Sequence, residues 1–355
     1  MARLCWLVVM FVMSLISGLH FQNPWEETGS ERTSPSSRTL PVCEDRRRVN
    51  CGVRPGFGAT NDALDKIIGG TGDGLDKIIG GTDAQAGEIP WIARVQKIVW
   101  VDGRPQSRPQ CAGVIVNEYW ILTAALCTST TSPLSDFRIV VGNRNVDVWE
   151  EGQQEFNVTA FFPHPDFRGG ATYFDYNIAL YKIALTSDGC GIRYNNNVMP
   201  ICLPNPNLIF PNTQMVLTGG WGNTVNGEEG VSPVLKRIDL AVINVDHCGE
   251  NVFYREVLTE RMFCAGEYRG SQDACAADIG GPAVFGSIEG YVLLGIISHG
   301  TLCYPPNTMV VMTYVPMYYS WVKDTINANS AEGENVLSDD NDIEENVFPD
   351  DNVIE

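Results

Sequence analysis

The chain has 355 residues, a formal net charge of −19 and hydrophobic side chains at 44% of its positions. This length is enough for one large domain or two modest ones. An acidic chain without a basic stripe is not expected to bind nucleic acid or an anionic membrane surface.

Residues 1–20 predict a cleaved secretory signal peptide. One arginine precedes an apolar run of about fourteen residues, and serine and glycine follow it. Such a run is too short to cross a bilayer. We therefore expect a secreted, extracellular protein, in which the cysteines after Cys5 form disulfides because that compartment is oxidising. The cysteines lack the spacing of a zinc site, so neither a metal nor another cofactor is expected.

Residues 21–77 are predicted to be a propeptide or light-chain linker. Its first part, residues 21–63, is rich in Ser, Thr, Pro, Arg and Gly, which indicates a flexible segment. Its second part carries the octet LDKIIGGT twice, once from Leu64 and again from Leu75. Two copies of so short a unit cannot stack into a repeat core, so the duplication does not define the fold.

Short alternating strands separated by Gly, Asn and Pro turns are predicted over most of residues 78–328. This pattern is typical of an all-β barrel or sandwich. A helix is predicted at the end, beginning near Pro316 and placing Tyr319, Val322 and Ile326 on one face. The nine predicted strands are 92–100, 112–117, 119–126, 137–142, 177–183, 214–222, 235–243, 291–298 and 308–315.

Residues 329–355 form an acidic tail. From Glu332 onward the tail has ten Asp or Glu residues and no Lys or Arg, and the sequence ENVLSDDNDIE is followed directly by ENVFPDDNVIE. We interpret the tail as a disordered solvating segment; the alternative is that it binds a basic partner or weakly collects Ca²⁺.

Nine motifs occur in one order along the predicted β-rich region: IIGGTDAQAGEIPW, WILTAALC, DYNIALYKI, MPICLP, TGGWG, MFCAG, ACAADIGGP, GIISHG and VMTYV. Together they resemble the chymotrypsin/trypsin-like serine proteases, and specifically the catalytically inactive homologues of that family. The resemblance implies two six-stranded Greek-key β-barrels followed by a C-terminal helix. It covers about 245 residues and leaves out the leader, the linker and the tail.

The resemblance also assigns the family's catalytic triad, and each position is substituted. Leu126 stands where the family has His, Asn177 where it has Asp, and Ile279 where it has Ser. Leucine cannot accept a proton and isoleucine has no nucleophile, so no hydrolytic activity is expected. We interpret the four histidines as surface or packing residues rather than a relocated base: His20, His164, His247 and His299.

The family's substrate site is expected to be impaired as well. Ala277 replaces a glycine of the oxyanion hole, and a Cβ penalises the backbone that aims the amide. The former specificity pocket would comprise Asp273, Ser298, Gly300 and Val310. Asp273 is either a weak docking site for Lys or Arg or a leftover acid under a pocket that Val310 fills.

Asp278 is retained between two changed neighbours. In the family this carboxylate pairs with the α-amino group released by an activating cut, which here would fall between Lys77 and Ile78. We therefore predict a conformational switch that does not depend on catalysis; the alternative is an Asp held by backbone amides in an uncut chain. The bond between Lys66 and Ile67 is out of register by eleven residues. The sequence does not decide which of the two bonds the activating protease cleaves.

The resemblance implies three disulfides in the barrels, Cys111–Cys127, Cys248–Cys264 and Cys275–Cys303. It also implies that Cys202 pairs with a cysteine upstream of the cut, for which we favour Cys51. Cys43 and Cys190 would then be left to pair, although these four cysteines allow three connectivities. The six-cysteine clip domain of many invertebrate members is not expected, since two cysteines lie between the signal and the junction.

These predictions favour a secreted, non-catalytic homologue that binds proteins. It would act as a cofactor, regulator or decoy in an extracellular proteolytic or innate immune cascade. Its partners would be proteases, zymogens or inhibitors, and a trypsin-like protease would cleave it first. The alternatives are a hydrolase with residual or altered chemistry and an inert secretory structural protein. Asn157 begins the sequon Asn-Val-Thr, so we expect a glycoprotein.

Overall fold

The computed structural model describes residues 49–55, 57, 81–128, 131–169, 174–207, 214–222, 232–243, 245–250, 255, 257–266, 278–287, 290–300 and 309–331. The strands are β1 (Thr82–Asp83), β2 (Ile92–Val101), β3 (Arg104–Ile115), β4 (Trp120–Thr123), β5 (Phe137–Val141), β6 (Gln154–Pro163), β7 (Ala179–Ile183), β8 (Met215–Gly220), β9 (Lys236–Ile243), β10 (Met262–Gly266), β11 (Pro282–Ser287), β12 (Gly290–Gly300) and β13 (Val310–Tyr314). The α-helices among the described residues are α1 (Val245–Glu250) and α2 (Tyr319–Asn329).

Six of the strands close into a first antiparallel barrel, in the order β2-β3-β4-β7-β6-β5. Its interior is filled by side chains that alternate inward along the strands, among them Ile121, Ile139 and Tyr181. A two-residue turn at Asp102 and Gly103, both with positive φ, joins β2 to β3. This left-handed turn suits an Asp-Gly pair and a tight hairpin.

The second barrel is formed by β8-β9-β10-β13-β12-β11 and closes through the pairing of β11 with β8. The short strand β1 adds to it by pairing with β9. Its interior includes Leu240, Leu294 and Met312. The two six-stranded barrels confirm the fold that the motifs predict.

A third apolar cluster contains side chains from both barrels and from α2. Leu180 of the first barrel and Leu293 of the second belong to it. Tyr319, Val322 and Ile326 are the buried residues of α2, which confirms the predicted helix face. The helix follows a 3₁₀ turn with a proline near its start, where the missing N–H has no cost.

The observed strands differ from the predicted ones at several places. The strand predicted from residue 112 begins at Arg104, and the one predicted to run to residue 126 ends at Thr123. Strands β1, β6, β10 and β11 were not among the nine predicted from alternation. Pairing with neighbouring strands supplies the order that these local sequences do not specify.

Candidate functional site

The three positions assigned to the triad lie on three separate elements. Leu126 is in a 3₁₀ turn, Ala125–Cys127, that follows β4. Asn177 lies two residues before β7, and Ile279 lies in a tight turn before β11. The first two positions belong to the first barrel, and the third precedes a strand of the second barrel.

Asn177 joins these elements through its side chain. Its Oδ1 accepts a hydrogen bond from the backbone N–H of Leu126 at 3.0 Å. Its Nδ2 donates to Ser298 Oγ at 2.9 Å and to the Ser298 carbonyl oxygen at 3.3 Å. The backbone carbonyl of Asn177 accepts from Thr313 Oγ1 at 3.0 Å. Asn177 is completely buried, so its polar atoms need hydrogen-bond partners within the protein. Its amide accepts from Leu126 and donates to Ser298, whereas an ionised carboxylate could only accept.

The turn that carries Ile279 is held closely against the first barrel. The carbonyl oxygen of Ile279 accepts from the N–H of Ala112 at 2.9 Å. Gly280 has φ of +83°, and a Cβ there would overlap Thr123 and Ala112. The Ile279 side chain packs, partly buried, against the core cluster of the first barrel. An apolar side chain therefore stands at the position that the sequence assigns to the nucleophile.

Asp278 points the other way, into the second barrel. It is buried, and its Oδ1 accepts the backbone N–H of Gly222 at 2.7 Å. Gly220 and Gly222 leave the space that the carboxylate fills, since a Cβ at either position would overlap it. Lys77 and Ile78, the predicted cut and its new terminus, lie outside the described residues, as do Lys66 and Ile67.

Ser298 and His299 form a hydroxyl–imidazole pair beside Asn177. The two side chains lie 3.2 Å apart, from Ser298 Oγ to His299 Nδ1. The His299 ring stacks on Phe174 with centroids 3.8 Å apart and an interplanar angle of 14°. Burial lowers the pKa of His299 to about 4. Ser298 itself has no exposed surface, and its hydroxyl oxygen accepts the hydrogen bond from Asn177.

Comparison with known proteins identifies the family. The family model described as Trypsin matches residues 78–322, which is more than half of the chain. The chain belongs to the trypsin family of serine proteases. It is 30% identical over 302 residues to the urokinase-type plasminogen activator of Gallus gallus, covering 83% of this chain and 68% of the relative.

Two further relatives of this trypsin-family chain match a smaller share of their own length. The hepatocyte growth factor activator serine proteases of Canis lupus familiaris are 30% identical over 216 residues, which is 61% of this chain and 33% of the relative. The mannan-binding lectin serine protease 1 of Mus musculus is 29% identical over 259 residues, 68% of this chain and 34% of the relative. The chain thus spans about a third of the length of these two.

Three residues assigned to the trypsin family's specificity pocket lie together in the second barrel. Gly300 on β12 pairs with Val310 on β13, and Ser298 lies two residues before Gly300. Val310 is buried within the core cluster of that barrel, where its side chain fills space that a glycine would leave open. Asp273 and the oxyanion-hole residue Ala277 are outside the described residues.

Three disulfides join pairs that were named from the sequence: Cys51–Cys202, Cys111–Cys127 and Cys248–Cys264. Cys190 is also disulfide-bonded, and Cys43, Cys275 and Cys303 lie outside the described part of the chain.

The residue after Cys51 fixes the linker segment on the second barrel. Gly52 donates its N–H to Pro200 and accepts from Tyr291, with φ of +68°.

An anchor beside the site was not found from the sequence. Arg261 donates to both carboxylate oxygens of Asp175, at 2.9 and 2.7 Å, and its guanidinium lies over the Tyr176 ring. Burial raises the pKa of Asp175, but hydrogen bonds from Arg261 and Thr259 outweigh it and leave the pKa lowered. Tyr176 has φ of +56°, so this ion pair holds an unfavourable backbone next to Asn177.

The described ranges show neither a membrane-spanning helix nor a metal-binding cluster. Their helices are too short or too polar to cross a membrane. The same residues contain no cluster of three or more His, Cys, Asp or Glu side chains that could hold a metal ion. Asn157 lies exposed on β6, where a glycan would extend into solvent.

Proposed function

We propose that this chain is a secreted serine protease homologue without catalytic activity that acts by binding other proteins. The observation that carries the proposal is the contact between Leu126 and Asn177. The backbone N–H of Leu126 hydrogen-bonds an amide, in a family whose chemistry needs an imidazole oriented by a carboxylate. Ile279, which packs against the core, supports the same conclusion because its side chain has no nucleophile.

The proposed role is that of a cofactor, regulator or decoy in an extracellular proteolytic or innate immune cascade. Two relatives are named as activators of another protein and a third as a lectin-associated protease, which supports a function among other proteins. Disulfides and the predicted signal peptide support secretion. The proposal includes cleavage after Lys77 and a glycan on Asn157.

The competing hydrolase hypothesis has one specific feature in its favour, the pair of Ser298 and His299. Its distance of 3.2 Å lies within reach of a hydrogen bond between a nucleophile and a base. Two observations weigh against it. Ser298 is completely buried, and the lowered pKa of His299 makes its imidazole a weak base near neutral pH.

Activity measurements test this proposal. Protein cut after Lys77 should not hydrolyse Lys or Arg amide substrates above background, and a serine-directed phosphonate should not label it. A Ser298→Ala variant separates the competing hypothesis: any turnover that it removes would show that Ser298 is catalytic. Turnover that co-purifies with the chain and survives in this variant would also contradict the proposal.

A reversion experiment asks whether the triad alone is missing. Restoring Leu126→His, Asn177→Asp and Ile279→Ser should recover little activity, because Ala277 and Val310 remain in the substrate site. Adding Ala277→Gly and Val310→Gly should raise turnover above the triple variant. Turnover by the triple variant close to that of active family members would show that the substrate site is intact.

Partner capture tests the binding role. Cut and uncut protein would be used as baits in native extracellular fluid, with the Asp278→Asn variant as a matched control for the switch. Specific capture of a protease, zymogen or inhibitor by the cut wild type supports the proposed role. Equal recovery of the same proteins by all three baits would contradict a role that depends on the cut.

A further inference from the structure

The hairpin of β2 and β3 extends beyond the first barrel as a two-stranded ribbon. The last residue of β2 that pairs with β5 is Lys97, opposite Phe137. β3 pairs with β4 only at Val114 and Ile115. In the part of the chain that the structure describes, residues 98–101 and 104–107 therefore pair only with each other, and Arg108 pairs with Lys97. We call residues 97–108 the basic ribbon.

The basic ribbon has one cationic face. Lys97 pairs with Arg108 and Val101 with Arg104, while Val99 lies opposite Gln106 between them. Because side chains alternate along a strand, these six residues share a face. Lys97 and Arg108 are like charges directly opposite each other, which destabilises a strand pair. Neither Arg104 nor Arg108 has an ion-pair partner among the described residues.

The ribbon also exposes apolar surface. Val99 and Val101, on the cationic face, are only partly buried, and Trp100, on the opposite face, is 71% exposed. A two-stranded ribbon with no third strand is marginally stable in water. Three cations and one acid, Asp102, give the ribbon a charge of +2 in a chain whose net charge is −19. The sequence alone predicts no basic stripe; this one forms only when the hairpin brings Lys97 opposite Arg108. An extended segment that combines acids with apolar residues would therefore complement it.

The acidic part of the tail, residues 332–355, has that chemistry. Its second repeat ends in Asp351-Asn-Val353-Ile-Glu355. In an extended conformation, Asp351, Val353 and Glu355 share one face, and the two acids lie about 13 Å apart. Arg104 and Arg108 have the same separation along β3, with Gln106 between them.

The length of the tail allows the contact within one chain. Helix α2 ends at Asn329, whose carbonyl oxygen accepts from Lys182 Nζ at 2.7 Å, and Lys182 pairs with Trp120 on β4. β4 in turn pairs with the far end of β3, about 36 Å along the strand from Arg104. The twenty residue-to-residue steps from Ala331 to Asp351 span at most about 70 Å when extended. The second repeat can therefore reach the ribbon.

We propose that the basic ribbon is a docking site for an extended acidic peptide and that the chain's own tail occupies it. The segment Asp351–Glu355 lies on the cationic face, with its acids at Arg104 and Arg108 and Val353 near Val99. Tethering gives the tail an effective concentration of order millimolar, so even a weak contact is populated. This inference goes beyond the proposed function, since it holds whether or not the chain is cut or catalytic.

Hydrogen exchange of the ribbon amides tests the docking. The full chain would be compared with a chain that ends at Ala331, so that the ribbon itself is unchanged. At low salt, residues 98–108 should exchange at least about tenfold more slowly in the full chain, and salt near 1 M should remove the difference because it screens exposed charges. Equal exchange in the two chains would overturn the proposal.

Charge variants identify the contacts. Arg104→Glu/Arg108→Glu should abolish the protection, as should Asp351→Asn/Glu355→Gln in the tail. The double variant Arg168→Glu/Arg255→Glu is the matched control, since it makes the same charge change at exposed residues elsewhere. The proposal fails if the control loses protection as fully as the ribbon variant does.

A peptide experiment separates docking within one chain from docking between copies. A labelled peptide of residues 345–355 should bind the chain that ends at Ala331, and the full chain at least about tenfold more weakly because its own tail competes. Protection in the full chain should not depend on protein concentration. Protection that rises with concentration would place the tail on a second copy, and absence of peptide binding would remove the site altogether.

Discussion

Asp278 accepts a hydrogen bond from the backbone N–H of Gly222 at 2.7 Å, and its carboxylate occupies the space that Gly222 leaves by lacking a side chain. Gly220, the residue before Trp221, leaves space for the same carboxylate, since a Cβ there would overlap it. The TGGWG motif is thus more than a mark of family membership. Gly220 and Gly222 form the pocket in which a buried acid is held, next to Ile279, the position that the sequence assigns to the nucleophile.

Substituting Gly222 should therefore destabilise the protein. Gly222→Ala would force a methyl group into the Asp278 carboxylate, and overpacking of this kind typically costs about 1–3 kcal/mol. The thermal midpoint should fall by several degrees. Gly249→Ala is the matched control, because a Cβ there meets nothing within 4 Å and the residue lies in α1. Equal midpoints for the two variants would contradict the packing described for Asp278.

The proposed switch predicts that a cut after Lys77 stabilises the protein. A new α-ammonium at Ile78 would enter the barrel and form an ion pair with the Asp278 carboxylate. Removing one partner of a buried ion pair costs about 3–5 kcal/mol, so we expect the cut protein to be more stable. Cut protein should resist heat and further proteolysis better than uncut protein, and Asp278→Asn should abolish that gain without affecting cleavage.

Two measurements check where the switch begins. N-terminal sequencing of the native heavy chain should find Ile78. A protein that can be cut only after Lys66, through Lys77→Gln, should gain no stability, because eleven extra residues would precede the position that fits the barrel. A native chain that begins at Ile67 would contradict the switch, and so would a stabilising cut at Lys66.

The fold was predictable because its signals were redundant. Nine motifs in order pointed to two barrels, and spacing of apolar residues located the buried face of α2 at Tyr319, Val322 and Ile326. The first half of β3 was not predictable in the same way. Its sequence RPQSRPQ contains Pro105 and Pro109, which are rare in strands, and it is ordered by pairing with β2. The Asp-Gly pair between these strands was the available signal for the hairpin.

The candidate site was predictable at its three substituted positions but not in its contacts. Nothing in the sequence indicated that Phe174 stacks on His299, because residues 125 positions apart in sequence meet only after both barrels have formed. The Asp175–Arg261 ion pair depends on the same tertiary arrangement. For Asn177, the motif predicted the lost carboxylate, whereas the hydrogen bonds of its amide required the structure.

His299 predicts a specific dependence of stability on pH. Its pKa is lowered by burial from 6.5 to about 4, so between these values the unfolded chain binds a proton that the folded chain does not. Stability should therefore fall as pH decreases through this window, by up to about 3 kcal/mol from this residue. His299→Phe can keep the stack on Phe174 and removes the titration, so its midpoint should fall less between pH 6.5 and 4 than that of the wild type. Parallel curves for the two proteins would contradict this assignment.

The Cys51–Cys202 disulfide predicts that the cut chain stays in one piece. It joins the linker segment to the second barrel across the Lys77 junction, with a sequence separation of 151 residues, and Gly52 reinforces it by hydrogen bonds to Pro200 and Tyr291. Cut protein should run as one band without reductant and as two bands with it. A Cys43→Ser/Cys190→Ser variant should give the same bands, because the Cys51–Cys202 disulfide remains. Adding Cys51→Ser and Cys202→Ser to that variant should release the light chain under denaturing conditions. Release of the light chain from the unreduced wild type would show that no disulfide crosses the junction in the native protein.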